Sequence, residues 1–142
     1  MNTKASIKGR MTESVSSDVR PTGPVLVVED DPDQRDAVTL ALQQAGYEVV
    51  AAADGLEALE LLHAGMKPCL ILLDLMMPEM DGVQFRKEQL KSAATADIPV
   101  VVVSAFGQRT RARSLQVADY LSKPVEIDRL VAVVDSVAQR TH

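Results

Sequence analysis

The chain has 142 residues, 46% hydrophobic and 25% charged, which suits a single globular domain with a real core. Its net charge of −5 argues against nucleic acid as the main partner, and no apolar run nears the ~20 residues of a membrane span. One cysteine, Cys69, excludes an internal disulfide; with no secretory h-region at the N-terminus, a cytoplasmic location is expected.

Residues 1–24 show no helical or strand period and are rich in Ser, Thr, Pro and Gly. They are expected to form a flexible N-terminal tail ahead of one domain spanning 25–142. Lys4, Lys8, Arg10 and Arg20 against Glu13 and Asp18 give the tail a net +2, which leaves −7 on the rest. Such a body suits a positive partner or ion.

From Val25 the pattern is regular. "VLVV" (25–28) reads as a buried strand, and 32–45 as a helix with Ala37, Val38, Ala41, Leu42 and Ala45 on one stripe. Asp31-Pro32 suits its N-terminus and Gly46 its end. "YEVVAA" (47–52) is a second strand and 55–65 a second helix, on which His63 is a solvated side chain. "CLILLD" (69–74) is apolar on both faces, as a central parallel strand should be, with Cys69 a small apolar filler. A third helix is expected at about 82–92, strands at 98–105 and 118–123, and a last helix at 126–140. That helix turns Ile127, Leu130, Val131, Val134 and Val137 inward.

Strands alternate with helices five times across short links. The order predicts an α/β fold: a doubly wound five-stranded parallel sheet with helices on both faces. Ligands in such folds sit at the carboxyl ends of the strands. There the first strand ends in Glu29-Asp30-Asp31, the third in Asp74, the fourth in Ser104 and the fifth in Lys123-Pro124. Carboxylates that converge repel, and a hard divalent cation resolves the conflict. Mg²⁺ takes oxygen ligands and often one or two carboxylates plus a phosphate, so the crevice points to Mg²⁺ with a phosphoryl group. Zinc is disfavoured, because neither His63, His142 nor Cys69 has ligand spacing.

"VLVVEDD", "LILLDLMMPEMDG", "VVVSA" and "YLSKP", in this order, resemble the receiver domain of two-component response regulators. The likeness covers roughly residues 25–140 and implies a flavodoxin-like fold. By that resemblance Asp74 is the phosphoacceptor for a sensor histidine kinase or histidine phosphotransfer protein. Asp30, Asp74 and the backbone carbonyl of Met76 would ligate Mg²⁺, with Glu29 acting through a water. Ser104 would bind a phosphoryl oxygen, Lys123 would pair with it, and Tyr120 matches the switch aromatic. The family's cis bond would precede Pro124. The resemblance implies a signalling module that switches protein–protein contacts, expected to be a stand-alone receiver or one cut from a larger protein. The acidic charge and the lack of a long apolar run lead to the expectation of no direct nucleic-acid contact and no membrane insertion.

Taken singly, these residues have plainer readings: Asp74 a strand-end solvent contact, Ser104 an ordinary hydroxyl, Tyr120 a half-buried core aromatic. Two other functions stay open, a receiver-like scaffold that is never phosphorylated and an Mg²⁺-dependent phosphohydrolase with an aspartyl nucleophile. The second wants an acid two residues past Asp74, where Met76 stands. The segment from Ser104 to Lys123 is about three residues shorter than in typical receivers, so a short or irregular helix is expected there. It carries Arg109, Arg111 and Arg113, either a solvated basic face or a docking surface for an acidic protein. Met76 and Phe106 cannot orient an attacking water, so slow self-dephosphorylation is expected.

Overall fold

The computed structural model describes residues 23–75, 82–105 and 115–140. The chain enters the sheet through β1 (Val25–Val28), an interior strand buried at all four positions and paired on both edges. A strand paired on both sides and covered on both faces has no wet side, which is why its sequence is apolar without alternation. β2 (Val49–Ala52), β3 (Leu70–Asp74), β4 (Val100–Ser104) and β5 (Asp119–Ser122) complete the sheet. Every pairing is parallel, and the order is β2-β1-β3-β4-β5. This is the doubly wound sheet expected, and its strand order reverses between β1 and β3.

The helices among the described residues are α1 (Pro32–Gln44), α2 (Gly55–His63), α3 (Gly82–Leu90), the single turn α4 (Ala93–Ala96) and α5 (Ile127–Arg140). Alternation along the strands divides the core in two. Leu26, Val28, Ile71 and Leu73 face α2 and α3, meeting Leu59, Leu62 and Phe85. Val25, Val27, Leu70 and Leu72 face α1 and α5, meeting Leu42, Leu130, Val134 and Val137. Asp31 caps α1 by accepting from the amides of Asp33 and Gln34, Pro32 opens the helix, and Gly46 follows it at φ 101°. Only a residue without a Cβ adopts that turn without strain.

Two inward assignments need correcting. Ile127 is 44% exposed and Ala37 is exposed, although both sit on apolar stripes. Both line an open cleft between α1 and α5, so neither has a partner packed over it. β1 has the expected bounds, but β2 to β5 start one or two residues later than expected, and β4 and β5 also end one residue earlier. Pro99 illustrates why: it has no N–H for the ladder, and pairing within β4 begins at Val100.

The turn α4 was not expected, and neither was the buried polar network beneath it. Arg86, on α3, donates Nε to the Leu115 carbonyl at 3.0 Å, Nη2 to the Gln116 carbonyl at 3.0 Å and Nη1 to Gln89 Oε1 at 2.8 Å. Gln89 Nε2 donates to the carbonyls of Thr95 and Ile98, and Thr95 Oγ1 donates back to the Gln89 carbonyl. The network ties α3 to α4 and to the chain entering β5. It therefore anchors the far end of the short segment after Ser104, while the helix expected inside that segment lies outside the described residues.

Candidate functional site

Each strand-end residue named from the sequence comes to the same edge of the sheet. Asp74 is the last residue of β3 and Ser104 the last of β4. Glu29 and Asp30 follow β1, and Lys123 follows β5. The Lys123 amide donates to the Ser104 carbonyl at 2.8 Å, which seats the lysine beside β4. The Lys123–Pro124 peptide bond is cis.

Lys123 Nζ reaches Asp74 Oδ2 at 3.1 Å and Glu29 Oε1 at 3.3 Å. Glu29, Asp30 and Asp74 each bring a carboxylate oxygen within 4.8 Å of the others'. One ammonium thus faces three acids, two of them buried: Asp74 is 4% exposed and Glu29 7%. Burial pushes the Glu29 carboxyl up to about 7; the Asp31 amide opposes this, Asp74 adds to it and Lys123 opposes it. Burial acts to lower the Lys123 pKa, but the charge of Asp74, then of Glu29, outweighs it and raises the ammonium above its ordinary value. The carboxylates hold more negative charge than Lys123 can balance.

That arrangement fits a hard cation. The donor set is all oxygen, it is compact, and it retains unbalanced negative charge, which is the environment Mg²⁺ favours. Ser104 adds a second sign of an absent guest. It is fully buried, and its Oγ has no hydrogen-bond partner among the described residues. A buried hydroxyl without a partner costs about 1–3 kcal/mol, so native proteins rarely leave one unless something else fills the gap.

Backbone packing holds Asp74 from the other side. A Cβ on Gly82 would lie 2.6 Å from Leu75 Cα and 2.7 Å from the Asp74 carbonyl oxygen. The Gly82 amide donates to the Leu75 carbonyl at 2.7 Å, so α3 starts directly against the end of β3. Tyr120 is half-buried against the α2–α3 face, and its hydroxyl donates to the Ala105 carbonyl at 3.4 Å. Met76, Pro78, Phe106 and the arginines at 109, 111 and 113 lie outside the described residues. Sequence reasoning missed Arg35, whose Nη1 donates to the Glu29 carbonyl at 2.9 Å and the Asp30 carbonyl at 3.4 Å. Its signal was present: an arginine one turn into a helix, facing back to an acidic strand end.

The crevice opens into a cleft of about 530 Å³ between α1 and α5. Its walls include Val38, Leu72, Val103 and Leu130, with Asp74 and Lys123 at the polar end. Cys69 is remote from this chemistry, buried at the other end of β3, and burial raises its thiol pKa; it is the filler expected.

A doubly wound parallel sheet with acids, a hydroxyl and a lysine on its carboxyl edge defines the class, an α/β domain with a polar strand-end crevice. The family follows from comparison. The response regulator receiver domain model matches residues 25–135, and this chain belongs to that family. The phosphate regulon transcriptional regulatory protein PhoB of Escherichia coli is 40% identical over 119 residues, which cover 82% of this chain and 52% of PhoB. The chain spans about half the length of the curated relatives it matches. The receiver domain of the Francisella response regulator 1452 superposes with a TM-score of 0.77 at 30% identity, covering 85% of this chain and all of that one. The response regulator TrrA of Thermotoga maritima, solved in complex with Mg²⁺-BeF, gives a TM-score of 0.73 at 29% identity, covering 82% and 99%.

Proposed function

We propose that this receiver domain takes a phosphoryl group onto Asp74 from a phosphohistidine of a sensor histidine kinase or phosphotransfer protein. The observation that carries the reading is the Lys123 ammonium, 3.1 Å from Asp74 Oδ2, beside a second and third carboxylate. Glu29, Asp30 and Asp74 would hold Mg²⁺, which supplies charge neutralisation to the phosphoryl oxygens. A carboxylate oxygen of Asp74 forms the new bond to phosphorus as the phosphorus–nitrogen bond breaks, and the donor imidazole leaves with that electron pair. Lys123 is freed from part of its pairing with Asp74 to face the incoming negative charge. Ser104 Oγ ends β4, the strand paired with the one that carries Asp74; it is buried with no hydrogen-bond partner among the described residues, and a phosphoryl oxygen would satisfy it.

Tyr120 then acts as the reporter. Its hydroxyl donates to the carbonyl of Ala105, the residue after Ser104, at 3.4 Å, which couples the ring to the end of β4. The output is protein–protein contact in two-component signalling. The acidic body disfavours DNA contact by this domain itself, although PhoB is named a transcriptional regulator. A free buried cysteine agrees with a cytoplasmic setting, and no helix among the described residues is long and apolar enough to cross a membrane.

Incubation with acetyl phosphate and Mg²⁺, read by intact mass, tests this. Wild type gains one phosphoryl group, and Asp74→Ala gains none. A wild type that folds and binds Mg²⁺ but gains no mass favours the unphosphorylated scaffold instead. Turnover of diverse phosphoesters favours the phosphohydrolase.

A further inference from the structure

The pairing of β1 with both neighbours stops at Val28, so the carbonyls of Glu29 and Asp30 have left the ladder. A strand end needs donors for such groups, and here one side chain supplies them. Arg35 Nη1 lies 2.9 Å from the Glu29 carbonyl and 3.4 Å from that of Asp30, and the Arg35 amide donates to the Asp31 carbonyl at 2.9 Å. The Asp31 amide in turn donates to Glu29 Oε2 at 3.2 Å, while the Asp31 carboxylate caps α1. Residues 29–31 are therefore suspended from the first turns of α1 at several points. Among the described residues no carboxylate pairs with Arg35, and its guanidinium donates to main-chain oxygen.

We infer that Arg35 is a positioning residue for the cation site: it fixes the main chain at Glu29 and Asp30 so that their carboxylates converge with Asp74. This rests on the Mg²⁺ reading above and extends it to a residue outside the acidic cluster. The two roles open to an arginine here have opposite signs. As a mere neighbouring charge it competes with Mg²⁺ for three carboxylates, and its removal strengthens Mg²⁺ binding. As a positioning group it holds ligands in place, and its removal weakens binding; losing such outer partners costs about 10- to 100-fold in metal affinity.

Titration calorimetry with Mg²⁺ alone, on the full chain, separates them. Arg35→Gln is expected to bind Mg²⁺ roughly 10-fold more weakly than wild type, although it has lost a positive charge. Arg35→Lys keeps the charge and offers one donor group in place of a planar fork, so it is expected to fall between, about threefold weaker. Affinity in Arg35→Gln equal to or tighter than wild type overturns the inference. Should Arg35→Gln fail to fold, Arg35→Lys decides, and wild-type affinity in that variant overturns the inference equally. Asp30→Asn controls for the reading beneath: wild type that binds no Mg²⁺, or binds it equally well without Asp30, overturns the metal site and the inference together.

Discussion

Asp74 and Arg86 are buried to nearly the same depth, 4% and 7% exposed, yet their surroundings differ in kind. Among the described residues, Arg86 donates only to neutral groups. Two main-chain carbonyls and one amide oxygen take its guanidinium donors, and Gln89 and Thr95 close the remaining bonds. Burial lowers the Arg86 pKa, but no buried acid is needed to hold it. At the strand ends by Asp74 the groups are charged and unequal: three carboxylates counting its own, one ammonium, and at the end of β4 the Ser104 hydroxyl, with no partner among the described residues. The first cluster is polar burial completed, and it joins helices. The second is polar burial left incomplete, and what would complete it is a cation and a phosphoryl group. The difference teaches that burial alone does not mark a functional site; an unmet demand for charge and hydrogen bonds does.

Substitutions should therefore act with opposite sign in the two clusters. The largest effect is expected for Arg86→Met, which strands the carbonyls of Leu115 and Gln116 and the Gln89 oxygen in the interior. It should lower unfolding free energy in urea by about 3 kcal/mol, independent of Mg²⁺. A cost that disappears when Mg²⁺ is added would break the distinction between the clusters.

Glu29→Gln should do the reverse. The Glu29 carboxyl is raised from 4.5 to about 7, so below pH 4.5 it is protonated in both folded and unfolded chains. Between those values the folded chain holds the proton more tightly, and above about 7 the folded chain carries the cost of the ionised group. Stability of the Mg²⁺-free protein should thus fall as pH rises through this window, by up to about 3 kcal/mol. Glu29→Gln should flatten that slope and stabilise the metal-free protein near pH 7.5. A slope that survives in the variant would assign it to other groups.

The smallest contrast pits two hydroxyls against each other. Thr95 Oγ1 donates to the Gln89 carbonyl at 2.6 Å, and Thr95→Ala should cost about 1 kcal/mol. Ser104 Oγ has no such bond, so Ser104→Ala should leave metal-free stability within ~0.5 kcal/mol of wild type or raise it. Calorimetric melting of both variants checks this, and equal losses would mean that the crevice hydroxyl is as well satisfied as the other.

The two clusters also differed in how legible they were. The sheet announced itself through runs such as Leu70-Ile71-Leu72-Leu73, and the crevice through what stands just past each run. A doubly wound order brings all strand ends to one edge, so Glu29, Asp30, Asp74, Ser104 and Lys123 could be assembled from chain order alone. Arg86 and Gln89 could not. A charged or amide residue on a helix usually reads as a solvated face, and their partners are main-chain carbonyls, up to 30 residues away for Arg86, with no sequence signature. Ile127 and Ala37 misled for the converse reason. Apolar spacing marks a helix face, but nothing in spacing tells whether a cleft has been left open against it.

The hydroxyl of Tyr47, at the entry to β2, donates to Asp135 on α5, a partner 88 residues further along the chain. The same helix supplies Leu130, Val134 and Val137 to the face of the sheet that also carries Val25 and Val27. The first strand to leave the ribosome therefore waits for the last helix before its own face is closed. A growing chain that ends short of α5 exposes the apolar side of β1 and β3 and leaves the Tyr47 phenol without this acceptor. α5 is thus the element that closes the sheet, and a chain cut before Ile127 is expected to be a sticky, protease-sensitive fragment, not a smaller switch.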